Sequence, residues 1–305
     1  MLSYDGFTEK LAERGLTKTE LGRILGISSR TMAKIAKGER LSRGVLNRMA
    51  EYLGCTAEDL CREISPNPLL QALRDEKASH LSGGIYHELQ VRMTYNSNHI
   101  EGSILTEEQT RLIFETRTIG AANDVPVDDI LETIHHFRAI DWAIDTADEQ
   151  ITAEHIKHFH WLLKHDTNDA ALPWFAVGDY KRRPNMMGGR ETTAPHEVPA
   201  AMEALLAAYT RKPQVGMEDI FAFHAEFERI HPFQDGNGRV GRLIALKECL
   251  RFDIVPFIIE DRKKAYYYQG LTKWPEEPER LIDTCLDGQD TMRALLRSLG
   301  IPETK

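Results

Sequence analysis

Cysteine is scarce in this sequence: Cys55, Cys61, Cys249 and Cys285 are the only four in 305 residues, and no two are spaced CxxC. Neither a disulfide framework nor a cysteine-based zinc site is expected, and a reducing compartment fits. Long apolar runs are lacking too. The most continuous, Ile254 to Ile259, is interrupted by Pro256, whereas a bilayer span needs about 20 apolar residues. The opening MLSYDGFTEK has no basic stretch ahead of an apolar core, so no secretory signal is expected and the reading is a cytoplasmic protein without a membrane partner. Repeats and low-complexity tracts are missing. Positive charge is in deficit, with 38 Lys and Arg against 47 Asp and Glu, net −9, which excludes a chain that coats nucleic acid along its whole length. What remains, 42% hydrophobic and 28% charged residues, is ordinary for a globular protein. A length of 305 residues exceeds one compact core, so two or three units are expected.

The charge average hides a contrast. Residues 1–64 carry 11 basic and 9 acidic residues, and Gly15 to Arg48 carry eight against two. Composition then shifts at Ser65-Pro66-Asn67-Pro68, where two prolines interrupt any helix. The expected organisation is a domain over 1–64, a region over 65–120 containing a helix at about 85–102, and a body over 121–305. The fold class expected is mainly α. Apolar residues recur every three to four positions over Leu69–Glu101, Thr106–Glu115, Val127–Ala147, Ala153–His165, Pro199–Ala208, Met217–Ile230, Arg239–Phe252 and Pro278–Leu299. The exception is Gly178 to Val198, where Gly188-Gly189 between short polar runs predicts a β-hairpin flap.

In the basic segment, Leu16–Leu25 and Ser29–Lys37 read as two short amphipathic helices around Gly26-Ile27-Ser28. A helix, a tight turn with glycine and a second helix bearing basic residues suit a groove-binding element. The segment resembles the Cro/C1-type DNA-binding domain, chiefly at Leu21, Leu25, Ile27, Met32, Ile35, Leu46 and Leu53. That resemblance implies DNA as a partner, with Ser28, Ser29, Arg30, Thr31 and Lys34 facing the groove, and a homo-oligomer, because one short module neutralises few phosphates.

The strongest signal is His231 to Arg242, HPFQDGNGRVGR. A helix ends at an imidazole, proline breaks it, and a Gly-Asn-Gly loop opens another helix whose N-terminus is suited to an anion. Arg239 and Arg242 share one face and offer forked donors to phosphate. Asp235 is a hard oxygen ligand beside them, and His231 can take a proton from a hydroxyl near neutral pH. The spacing is neither that of a P-loop nor that of an EF-hand. The string matches the signature of the Fic family, HPFx(D/E)GNGRxxR, whose best-known members are protein adenylyltransferases.

That resemblance implies His231 as the base that activates a Ser, Thr or Tyr hydroxyl of a target protein, possibly of the chain itself, for attack on ATP. Asp235 would hold Mg²⁺, while Gly236, Asn237, Gly238 and Arg239 form an anion hole and Arg242 holds the γ-phosphate. Glycine at 238, where the Doc-type kinases of the family carry Lys, favours adenylyl transfer. The Gly178–Val198 flap would align the target segment, and Tyr267, within the Tyr266-Tyr267-Tyr268 run, would meet the adenine.

Upstream, Ser97 and Glu101 are four residues apart on one helix face, and Gly102 follows as a stop. SNHIEG resembles the family's inhibitory motif (S/T)xxxE(G/N), in which the Glu pairs with the second signature arginine, here Arg242. Low basal activity is the implied outcome, and in some such proteins the same Glu supports removal of AMP. An alternative reading stays open: a DNA-binding regulator whose Fic-like part senses nucleotide or mediates assembly. His155, His158 and His160 are not placed on one face and carry no HExxH pattern, so they read as structural.

Overall fold

The computed structural model describes residues 2–63, 67–120 and 124–302. The chain falls into two compact units, the second beginning at Asn67. Of the proline-rich boundary, Ser65 and Pro66 lie outside the described residues, while Asn67 and Pro68 open the first helix of the second unit.

The first unit holds α1 (Asp5–Glu13), α2 (Lys18–Ile24), α3 (Ser29–Ala36), α4 (Arg43–Leu53) and α5 (Ala57–Leu60), with strand β1 (Leu2–Ser3) antiparallel to β2 (Arg62–Glu63). Local chemistry sets its helix starts. Thr17 and Glu20 form a capping box on α2, and the hydroxyls of Ser28 and Ser42 cap α3 and α4. The scaffold positions read from the sequence converge: Leu21, Ile27, Met32, Ile35 and Leu53 are buried together with Phe7 and Met49, and Leu25 and Leu46 pack against them. The sequence reading named only α2 and α3. The other helices and the strand pair close the same core, with Tyr4 Oη donating to Glu39 O at 2.9 Å and accepting from Leu41 N at 3.2 Å.

In the second unit the helices are α6 (Pro68–Ser79), α7 (Ile85–Ile100), α8 (Glu107–Thr116), α9 (Val127–Asp145), α10 (Ala153–Lys164), α11 (Val198–Thr210), α12 (Met217–Ile230), α13 (Asn237–Arg251), α14 (Lys264–Lys273) and α15 (Glu279–Ser298). The helix expected over Leu69–Glu101 is two helices. His80 turns left-handed at φ 53°, and the Glu76 carboxylate accepts from Tyr86 N at 2.8 Å, filling the space where a Cβ on Gly84 would lie. The sequence signal was Ser82-Gly83-Gly84, which the apolar periodicity overrode. Helix α14 lacked a clear apolar stripe and was not expected.

Helix α13 runs through the middle. Apart from Gly238 it is buried from Asn237 to Leu250, and α7, α9, α10 and α12 pack around it. A helix buried on all sides needs no amphipathic pattern. The hairpin is present as β3 (Met186–Met187) paired with β4 (Arg190–Glu191), joined by Gly188 and Gly189 at φ 56° and 79°. Two successive positive φ values are what a tight hairpin turn of this hand requires. Among the described residues no helix is long and apolar enough to cross a membrane.

Candidate functional site

Helix α12 delivers His231 at its C-terminus, in a left-handed conformation (φ 52°). Pro232 follows, then Phe233, fully buried and stacked on His160 with centroids 4.1 Å apart and planes at 3°. Asn237 closes the loop on itself, accepting from Phe233 N at 2.8 Å and donating to Phe233 O at 2.9 Å. Its side chain is therefore spent on loop geometry. Gly236 enters α13 at φ 78°, where glycine is unstrained.

His231 Nδ1 lies 3.3 Å from the carbonyl oxygen of Glu228. A carbonyl only accepts, so Nδ1 carries the proton and Nε2 holds the free lone pair. Burial pushes the imidazole below its ordinary pKa, and the nearby Lys181 charge acts in the same direction. The resting ring is a neutral base.

Arg242 is buried, with Nε donating to Ser97 Oγ at 2.9 Å and Nη2 donating to Ser97 O at 3.0 Å and to Glu101 Oε1 at 2.7 Å. The last turn of α7 thus presents a hydroxyl, a carbonyl and a carboxylate to one guanidinium. Glu101 also lies tight on the signature loop, since a Cβ on Gly238 would overlap its Oε1.

Asp235 and Arg239 belong to a second cluster that the sequence did not reveal. The buried Lys164 ammonium lies 2.7 Å from Glu132, 2.7 Å from Asp169 and 2.8 Å from Asp235. Arg239 pairs with Glu132, and with Asp235 at 3.4 Å. These two cations outweigh the partial desolvation of the Asp235 carboxyl and hold it far below the usual carboxylate range. Its side chain is about half exposed, so an ionised, accessible oxygen stands ready for a hard cation, and Mg²⁺ fits that donor.

A cavity of about 440 Å³ is lined by Glu101, Glu228, His231, Gly238, Arg242 and Tyr267, and by Met186–Gly188 of the hairpin. Asp235, Gly236, Asn237 and Arg239 are not in its wall. Tyr267 is fully buried, its hydroxyl 2.7 Å from His224 Nε2 and 3.5 Å from Arg242 Nη1, while Tyr268 is about a third exposed at the cavity edge. Glu228 is a further residue that the sequence reading missed. Its carboxyl is buried and pushed up to about 8 by desolvation, and Gly241 makes room for it and for His224. Its position one helical turn before His231 was the available signal.

In the first unit, Ser28 Oγ accepts from Thr31 N at 3.2 Å, and the two hydroxyls are 2.9 Å apart. Ser29 and Arg30 are exposed, Thr31 and Lys34 half-buried. Among the described residues one histidine and carboxylate group, His135, His165 and Asp166, comes within ligating range. The two rings stack at 4.0 Å and 19°, so their in-plane lone pairs run side by side and do not converge on one ion. His160 is a packing residue that accepts from Gly178 N at 2.9 Å.

A model of the Fic/DOC family matches residues 150–249, and one of the Cro/C1-type HTH DNA-binding domain matches residues 7–64. Curated protein sequences give no match. Among solved structures, a Fic domain containing signaling protein from Bacteroides thetaiotaomicron aligns with 25% identity and a TM-score of 0.57, covering 76% of this chain and 94% of that one. A Fic family protein from Desulfovibrio desulfuricans G20 aligns with 21% identity and a TM-score of 0.57, over 78% of this chain and 76% of that one. Fic-1 from C. elegans aligns with 18% identity and a TM-score of 0.55, over 76% and 72%. With the signature loop, the helical core around α13 and the capped helix pair of the first unit, the chain carries a Fic/DOC-family domain over residues 150–249 and an N-terminal Cro/C1-type helix-turn-helix domain over residues 7–64.

Proposed function

We propose that the second unit transfers AMP from ATP to a hydroxyl side chain of a protein, and that Glu101 restrains it. The observation that carries this reading is the shared cavity: a neutral imidazole with its Nε2 free, the open start of α13 at Gly238 and a buried guanidinium line one space. His231 accepts the hydroxyl proton at Nε2 as the oxygen bonds to the α-phosphorus and pyrophosphate departs. Backbone N–H groups at Gly238 and the positive end of α13 stabilise the charge on phosphate oxygens. Arg242 binds the γ-phosphate once Glu101 has moved off it. Asp235 would hold Mg²⁺, which neutralises phosphate charge when bound, and Lys164 and Arg239 keep that carboxylate ionised. The hairpin receives the acceptor segment along its exposed edge, and Glu101 can also serve the reverse reaction.

The test is transfer of label from ATP labelled at the α-phosphate onto protein, either the chain itself or proteins of a cell lysate. Labelling should depend on Mg²⁺, vanish in His231→Ala, and fall in acid with a midpoint below about 6.5, the ordinary imidazole value. Absence of label from folded wild type and from Glu101→Gly alike would sink the enzyme reading. For the first unit we propose DNA binding through α3, supported by the exposed Arg30 and the basic surplus between Gly15 and Arg48. The rival in which the Fic unit only senses nucleotide predicts normal ATP binding with no transfer.

A further inference from the structure

Lys181 is a buried cation with no carboxylate within ion-pairing distance among the described residues. Burying a charge without a counter-charge opposes folding, so what the amine holds matters. Its Nζ donates to Asn185 Oδ1 at 2.7 Å and to Thr192 Oγ1 at 2.6 Å. Asn185 immediately precedes β3 and Thr192 immediately follows β4, so one ammonium ties both feet of the hairpin. The same residues grip the signature loop: Lys181 N donates to Pro232 O at 2.8 Å and Asn185 Nδ2 to Phe233 O at 2.9 Å. Pro232 follows His231 directly. The hairpin itself consists of two residue pairs and a two-glycine turn, with Met186 64% exposed. So short a ribbon is not stable alone.

We infer that Lys181, with Asn185 and Thr192, is a clamp that sets the hairpin at a fixed height over His231 and thereby positions the acceptor hydroxyl. These three are positioning residues, and the acceptor part of the inference rests on the reading proposed above. Met187 and Gly188 line the cavity that contains His231 and Arg242. They also border a neighbouring groove of about 420 Å³ beside β4, so a shift of the hairpin feet changes both spaces. Burial with no acid partner depresses the amine to about 8. Both acceptors are neutral oxygens, so the amine can donate to them protonated or not.

The experiment compares Lys181→Met, Thr192→Val and the conservative Thr192→Ser, each with Glu101→Gly as the parent background, by two readouts. The first is limited trypsin cleavage after Arg190, which needs no catalytic activity. The second is AMP labelling of protein alongside calorimetric affinity for Mg·ATP. Lys181→Met and Thr192→Val should each be cut at least about tenfold faster at Arg190 than the parent. Their labelling rate should fall at least about tenfold, with the affinity for Mg·ATP unchanged within about twofold. Thr192→Ser should resemble the parent, and the melting temperature of Lys181→Met should not fall, because an unpaired buried charge has been removed. Unchanged cleavage overturns the clamp. Faster cleavage with labelling intact, or a matching loss of nucleotide affinity, overturns its positioning role. If the parent binds nucleotide but labels nothing, the transfer reading fails, and the cleavage result still decides the clamp.

Discussion

Replacing Glu101 by glycine should raise the affinity for Mg·ATP by about tenfold to about 150-fold. In the resting structure Arg242 Nη2 holds Glu101 Oε1 at 2.7 Å, and the arginine side chain is 4% exposed against 26% for the glutamate. A hydrogen bond to a charged group is worth about 1.5–3 kcal/mol net, and 1.36 kcal/mol corresponds to tenfold. An unscreened estimate for two unit charges 4 Å apart at an effective dielectric of 20 is about 4 kcal/mol, an upper bound here because Ser97 stays on Arg242 whether or not Glu101 does. The partial exposure of the carboxylate favours the lower half of the range. Isothermal titration with Mg·ATP measures the affinity of wild type, Glu101→Gly and Glu101→Gln, the last keeping the oxygen but not the charge and falling between. Glu101 stands at the cap of α7 and not within it, so glycine there costs little helix stability, and the melting temperature serves as a control. The reasoning is refuted if Glu101→Gly binds nucleotide within threefold of wild type while Arg242→Ala abolishes binding. Arg242 would then read the nucleotide without being blocked by the carboxylate.

Gly238→Ala puts a methyl where Glu101 Oε1 lies and 3.0 Å from Arg242 Nη1, so it should cost about 1–3 kcal/mol in wild type. It should cost at least 1 kcal/mol less with Glu101→Gly, as a double-mutant cycle by chemical denaturation would show; simple additivity would rule out the contact. For the first unit, duplex DNA binding measured by anisotropy should weaken steeply with salt, and Arg30→Ala with Lys34→Ala should flatten the log–log slope by about two phosphates' worth. A slope unchanged by both substitutions would remove α3 from the interface.

The two paired functional elements were legible for different reasons. The signature loop is a local object: the residues from His231 to Arg242 are consecutive, and their spacing alone puts an imidazole before a helix start and two arginines on one helix face. The hairpin was legible from Gly188-Gly189, because a two-residue turn of this hand demands positive φ at both positions. Helix α14 was not, since Tyr266, Tyr267 and Tyr268 sit consecutively and give no 3.6-residue stripe. The break between α6 and α7 was visible only as a glycine pair, and what fixes it is the Glu76 carboxylate bonded to Tyr86 N, a contact that periodicity does not report.

The sequence by itself determined the mainly helical class, the helix-turn-helix core and the make-up of the signature loop, because each depends on residues within a few helical turns of one another. Only the tertiary structure decided where the charges go. It placed Lys164 among Glu132, Asp169 and Asp235, which are distant in sequence. It turned Arg239 toward that cluster, left Arg242 in the cavity wall, and set Lys181 against Asn185 and Thr192 at the feet of the hairpin. Ion pairing in a buried site is a matter of distances of a few ångströms between elements, and those are fixed by how α7, α9, α10 and α12 pack around α13.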